Sequence, residues 1–98
     1  MWNVKVHRLV LDEDFRRIPK KDQSVILKTV YKKLGTAPQE YGAPLRHELK
    51  GYWKLKISNY RVVYTIEDDK VQVVVVKVGI RRDKEVYKQM ISRLKKIF

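Results

Sequence analysis

The stretch from Trp53 to Tyr64 leaves a folding chain little choice. Apolar side chains at Trp53, Leu55 and Ile57, and again at Tyr60, Val62 and Tyr64, alternate with other residues, and Ser58-Asn59 between the two runs suits a two-residue turn. Folded as a hairpin, the segment pairs Ile57 with Tyr60, Lys56 with Arg61 and Lys54 with Val63, and it sorts its side chains onto two faces. The six apolar residues line one face; Lys54, Lys56 and Arg61 share the other. Because Lys56 and Arg61 become direct cross-strand neighbours, their like charges cost stability. An anion such as a phosphate offsets that cost.

An apolar sheet face needs a cover, and the flanking sequence supplies one. Trp2, Val4 and Val6 alternate with polar residues as a first strand. Leu11, Phe15 and Ile18 then recur at helical spacing up to Pro19, and Asp22 is placed to cap a second helix carrying Ile26, Leu27, Val30, Tyr31 and Leu34, with Gly35 at its C-terminal end. Residues 36–42, with Pro38 and Gly42, read as a loop. Residues 45–49 read as a short strand with Leu45, His47 and Leu49 on one face and Arg46, Glu48 and Lys50 on the other. The valine-rich residues 70–78 form the last strand, and a turn at Asp68-Asp69 pairs Glu67 with Lys70 and sets Arg61 opposite Val76. Asp83 then caps a terminal helix with Val86, Met90, Leu94 and Ile97 on one stripe. The order β-α-α-β-β-β-β-α predicts an α+β fold: an antiparallel sheet with an N-terminal helical hairpin packed on one face and a C-terminal helix. A chain of 98 residues has too little interior for two cores, so 1–98 is expected to form one domain.

Charge points to the partner. The chain carries 23 Lys+Arg against 11 Asp+Glu, a formal +12, which is more than solubility asks of a small domain. Residues 46–98 hold +8 of that excess and residues 1–45 only +4, so the second half is where a polyanion is expected to bind. RNA is the first candidate. The absence of cysteine removes disulfides, thiolate metal sites and cysteine nucleophiles. No apolar run approaches the roughly 20 residues that span a bilayer, and the start is too polar for a signal peptide, so a cytoplasmic location without membrane contact is expected. Neither a metal nor any other cofactor is expected, since no recognisable ligand cluster, glycine-rich phosphate loop or catalytic triad stands in the sequence.

Gly79 and Ile80-Arg81-Arg82 follow the valine strand directly, which brings an arginine out at the sheet edge beside Lys56 and Arg61, with Tyr87 on the next helix over the same place. Metal-free phosphoryl transfer on RNA suits such a cluster. The neighbouring 2′-OH attacks its own phosphate, so the protein need only take a proton, stabilise charge on the phosphate oxygens and help the 5′-oxygen leave. Like charges crowding a lysine favour its neutral form, which fits one of the pair to act as base. Arginine stays charged and holds phosphate in a planar fork. Arg82, Lys84, Lys50 and His47 are further candidates for RNA contact, although His47 serves a structural role equally well. His7 lies on the polar side of the first strand and is expected at the surface.

The run Trp53-Lys54-Leu55-Lys56-Ile57-Ser58-Asn59-Tyr60-Arg61-Val62-Val63-Tyr64, the valine strand after it, and Val78-Gly79-Ile80-Arg81-Arg82-Asp83-Lys84-Glu85-Val86-Tyr87 together resemble the RelE family of the RelE/ParE toxin–antitoxin superfamily. The resemblance implies a ribosome-dependent endoribonuclease that cleaves messenger RNA in the decoding site and is held inactive by a cognate antitoxin, expected to be acidic and partly disordered alone. It also implies that Lys54 and Lys56 match the catalytic lysines, Arg61 the phosphate-stabilising arginine, Arg81 a second arginine, and Tyr87 the tyrosine that positions the messenger. The interval from the lysine pair to Arg61 is shorter than in the family prototype and leaves open which lysine is the base. Two other readings stay open: a ParE-like toxin that binds DNA gyrase without cutting RNA, and a non-catalytic RNA-binding module.

Overall fold

The computed structural model of the chain describes residues 1–80 and 85–97. Five strands form one sheet: β1 (Asn3–Val6), β2 (Ala43–Pro44), β3 (Tyr52–Ile57), β4 (Tyr60–Glu67) and β5 (Gln72–Ile80), in the spatial order β1-β5-β4-β3-β2. The helices are α1 (Arg8–Asp12), α2 (Lys20–Thr36), α3 (Pro38–Tyr41) and α4 (Glu85–Ile97), with short 3-10 turns at Asp14–Arg17, His47–Leu49 and Asp68–Lys70. The α+β class holds, but the sheet is mixed, because β1 runs parallel to β5. A parallel neighbour cannot follow a tight turn, and here the whole intervening chain forms the connection.

The central hairpin has the expected register: Ile57 opposite Tyr60, Lys56 opposite Arg61, Lys54 opposite Val63. Ser58 takes φ 50°, the positive value that tight hairpin turns require at their first position. Leu55, Ile57, Val62 and Tyr64 are buried under Val10, Phe15, Ile18, Ile26, Val30 and Leu34 of the helical hairpin, with Trp53 and Tyr60 packed at the margin. The opposite face is covered too. There Val63 and Val76 meet Leu49 and the α4 residues Val86 and Met90, so the sheet lies between two helical layers.

Several local expectations are corrected. Residues 45–49 form no strand: β2 is only Ala43–Pro44, and His47, at φ 58°, opens a 3-10 turn that leaves its side chain exposed while Leu49 is buried. Gly51 at φ 97° completes the turn into β3. Helix α2 begins at Lys20 and runs through Gly35 to Thr36, and Asp22 accepts a hydrogen bond from the Tyr60 hydroxyl at 2.6 Å instead of capping the helix. A single helical turn occupies most of the expected 36–42 loop. His7 caps α1, its Nδ1 accepting from the Leu9 amide at 3.0 Å. The expected Asp83 cap lies outside the described residues.

The β4–β5 register also differs. Glu67 pairs with Gln72 across a longer turn that ends with Val71 in the left-handed region, and Arg61 faces Gly79, three residues beyond the expected Val76. Two of those residues come from the turn, and one from a bulge that interrupts the ladder between Val63 and Tyr64 and leaves Val76 without a partner. The bulge has a physical cause. Val73 and Val75 point into the core, and strict alternation would send Lys77 after them; with the extra residue Val78 takes that place and Lys77 turns to the other face.

There Lys77 meets a carboxylate. Asp14 Oδ1 accepts from Lys77 Nζ at 2.9 Å and from Arg93 Nη2 at 2.7 Å, and Oδ2 accepts from Arg93 Nη1 at 2.8 Å and the Val78 amide at 2.9 Å. Arg93 Nη1 also donates to the Val76 carbonyl, and Glu13 at the rim balances the second cation. All three central side chains are buried. Asp14→Ala leaves two cations enclosed without their anion and is expected to cost about 3–5 kcal/mol, a large share of a small domain's stability; urea unfolding measures it.

A second test uses pH. Tyr64, buried, donates to the Pro38 carbonyl at 2.6 Å, and burial pushes its phenol far above the usual tyrosine range. A folded-state pKa raised above the unfolded one stabilises fully below about pH 10 and progressively less above it, because only the unfolded chain then releases the proton. Tyr64→Phe should therefore lower stability near neutrality, by about 1–3 kcal/mol for the carbonyl left unpaired, and flatten its alkaline decline in denaturation curves.

Candidate functional site

The site is built on the face of β3 and β4 that α4 only partly covers. Lys54 and Lys56 alternate with the core residues Leu55 and Ile57, so the pleat that buries the apolar pair turns both lysines to the other side. In a two-residue hairpin the first pair beyond the turn exchanges hydrogen bonds and the next pair does not, which puts Lys56 and Arg61 at the position where side chains stand closest. Lys56 is exposed, while Lys54 and Arg61 are partly buried. Arg61 Nη1 donates to its neighbour's carbonyl, Tyr60 O, at 3.0 Å, which engages one donor of its guanidinium.

Helix α4 brings Tyr87 onto this group. Lys54 Nζ stands 6.0 Å from the centre of the Tyr87 ring, a cation–π distance, and the half-buried phenol has its pKa raised by burial and partly lowered by Arg61. Tyr87 therefore packs against Lys54, feels the charge of Arg61 and remains a protonated hydroxyl in neutral solution. Among the described residues, no carboxylate lies within ion-pair distance of Lys54, Lys56 or Arg61. Nor do the described residues gather three His, Asp or Glu side chains that could hold a metal ion.

Lys54, Lys56, Arg61 and Tyr87, four of the expected site residues, thus share one surface. Lys50 and His47 are exposed on the turn before β3, whose Leu49 packs with α4 in the second core. Arg81, Arg82 and Lys84 lie outside the described residues. The basic excess of the second half divides by environment: Lys77 and Arg93 are enclosed with Asp14, whereas the hairpin cations are not.

Comparison with known proteins follows this geometry. Residues 11–85 match the family described as ParE toxins of type II toxin–antitoxin systems. Toxin RelG of Mycobacterium tuberculosis is 30% identical over 70 residues, 71% of this chain and 80% of the relative. The chain belongs to the RelE family of type II toxins. The mRNA interferase toxin RelE of Escherichia coli is 46% identical over 41 residues, 42% of this RelE-family toxin and 43% of its relative. Among solved structures, the toxin–antitoxin complex RelBE2 of M. tuberculosis matches with a TM-score of 0.76 at 26% identity, over 82% of this toxin and 98% of that chain. No helix among the described residues of the toxin is long and apolar enough to cross a membrane.

The like-charge pair gives a prediction that separates stability from activity. Lys56→Ala relieves the repulsion with Arg61, so stability should stay level or rise by about 0.2–1 kcal/mol, measured by thermal unfolding at low salt. A clear loss of stability would show that Lys56 has a supporting role in the fold.

Proposed function

We propose that this toxin is an endoribonuclease that cleaves messenger RNA in the decoding site of the ribosome, with Lys54, Lys56, Arg61 and Tyr87 acting on one phosphate. The observation that carries the reading is the convergence of these cations with a protonated tyrosine on one face. The E. coli relative's name, mRNA interferase toxin, supports it. In the reaction the 2′-oxygen loses its proton to one of the lysines and attacks the adjacent phosphorus, while the bond from phosphorus to the 5′-oxygen breaks. Arg61 holds the phosphate oxygens as negative charge accumulates. A proton from water reaches the 5′-oxygen as it leaves, and the lysine later returns its own proton to solvent, so the products carry a 2′,3′-cyclic phosphate and a 5′-hydroxyl. Lys56 faces solvent and Lys54 faces the Tyr87 ring, and the base role is left open between the two. Arg81 is assigned the second phosphate-contacting position, and Arg82, Lys84, Lys50 and His47 contacts along the strand.

A second reading, inhibition of DNA gyrase without RNA cleavage, is favoured by the family profile, which is described for ParE toxins. For either activity the partner that restrains the toxin is a cognate antitoxin, as the M. tuberculosis neighbour's own complex suggests. A +12 surface is matched by an acidic segment that is disordered alone and folds on contact.

Cleavage in a cell-free translation system tests the assignment. Wild-type protein should yield fragments of translated messenger ending in cyclic or 3′-phosphate. Arg61→Ala should lose about 10²–10³ in rate with its melting temperature unchanged or slightly raised. Intact messenger together with inhibited supercoiling would transfer the assignment to gyrase. Affinity for ribosomes should also fall steeply with salt, as when several cations displace counterions from a phosphate backbone. An affinity indifferent to salt would place the contact on protein.

A further inference from the structure

Gly79 occupies the interior of β5, where glycine has no side chain to pack and weakens a strand. Its backbone does not explain it, because Gly51 is the glycine with positive φ among the described residues. What sets Gly79 apart is the space above it. A Cβ built there would stand 2.7 Å from Val86 Cγ2, 3.2 Å from Cγ1 and 3.4 Å from Cβ. The first contact falls short of an ordinary carbon–carbon separation by about 1 Å. Val86 has no room to yield, being stiff at χ1, 2% exposed and packed in one cluster with Leu49, Val63, Val76 and Met90. A methyl group at 79 therefore pushes on α4 as a body.

The position matters because Gly79 is the register partner of Arg61, and Val86 precedes Tyr87 on the first turns of α4. We propose that Gly79 is a positioning residue of the site: its missing side chain lets Val86 seat directly on β5 beside Arg61, and that seat holds the Tyr87 ring against Lys54. At the far end of the contact Arg93 ties α4 to Asp14 and the Val76 carbonyl, so the helix is fixed at two points seven residues apart and cannot absorb the push by sliding. The catalytic part of this inference rests on the ribonuclease reading above; the placement of Tyr87 does not.

The experiment compares wild type, Gly79→Ala, Val86→Ala and the double variant Gly79→Ala/Val86→Ala, because truncating Val86 removes the atoms a methyl at 79 would strike. Two readouts are taken: single-turnover cleavage of messenger on ribosomes, and nuclear Overhauser contacts between the Tyr87 ring and the Lys54 side chain in the isolated protein. Gly79→Ala is expected to lose the ring contact and to cleave about tenfold to a hundredfold more slowly, the effect of misplacing a reacting group by about 1 Å. The double variant is expected to recover the contact and most of the rate. If Gly79→Ala does not fold well enough to assay, Val86→Ile adds bulk to the same contact from the helix side and must reproduce the loss. A Gly79→Ala protein that keeps its ring contact, or a folded double variant that regains neither readout, overturns the proposal. Wild-type protein that shows the contact but cuts no messenger sinks the ribonuclease reading alone, and the contact series still decides the placement.

Discussion

Asp14 opens the 3-10 turn after α1, where that turn meets the outer edge of β5 and the flank of α4, and its carboxylate is bonded to both the strand and the helix. Strand β1 pairs with β5 only as far as Val75, so the next part of that edge would carry polar backbone groups with no strand beside them. Asp14 takes the Val78 amide and Arg93 takes the Val76 carbonyl, which closes the edge with side chains where a sixth strand would otherwise be needed. Enclosing one anion and two cations has a large desolvation cost, and it is met by four hydrogen bonds to two oxygens plus a rim glutamate. The return on this arrangement is orientation. A helix held only by an apolar stripe can rotate a little or slide by a turn, whereas a bidentate arginine fixes both its phase and its height.

The same residue types meet opposite fates within one sheet. Inside, lysine and arginine are matched by carboxylates and belong to the architecture. On the hairpin, Lys54, Lys56 and Arg61 gather on one face with a tyrosine ring against Lys54 and no acidic partner among the described residues, so their field is directed outward. The sheet bulge turns Lys77 onto the α4 face, where Asp14 encloses it, and lets the strand continue to Gly79 beside Arg61. Removing a charge from the inner set weakens the fold. Removing one from the outer set relieves it, the usual relation between stability and function at a binding surface.

The hairpin was legible because alternation over twelve residues admits one register, and its consequences for Lys54, Lys56 and Arg61 held. The β4–β5 register was not, for a definable reason. Two registers that differ by two residues leave every side chain on its own face, and four consecutive valines at 73–76 contain no alternation from which to place a bulge. A signal did exist in Lys77, an ionisable residue in an apolar run, and in Arg93, which stands three residues after Met90 on a stripe otherwise apolar. Asp14 offered less, since an aspartate that closes the acidic run Asp12-Glu13-Asp14 looks like part of any solvated turn. The 45–49 segment misled because Leu45 and Leu49 do face one core, but through a 3-10 turn with a left-handed histidine that periodicity cannot reveal. Local pattern settled what local geometry controls, and contacts across 63 to 79 positions of chain settled the rest.

Those separations have a bearing on how the protein comes into being. Strand β1 finds its partner only once residues 72–75 exist, and Asp14 waits for Arg93, so the N-terminal third stays provisional until residue 93 has been made. Non-local closure of this kind is slow relative to helix and hairpin formation. The tyrosine and the helix that holds it leave the ribosomal exit tunnel after the cationic hairpin. A nascent chain therefore carries its cations before it carries the geometry that organises them, and the cell in which it is made has an interval, set by translation and folding rates, in which the new molecule is still incomplete.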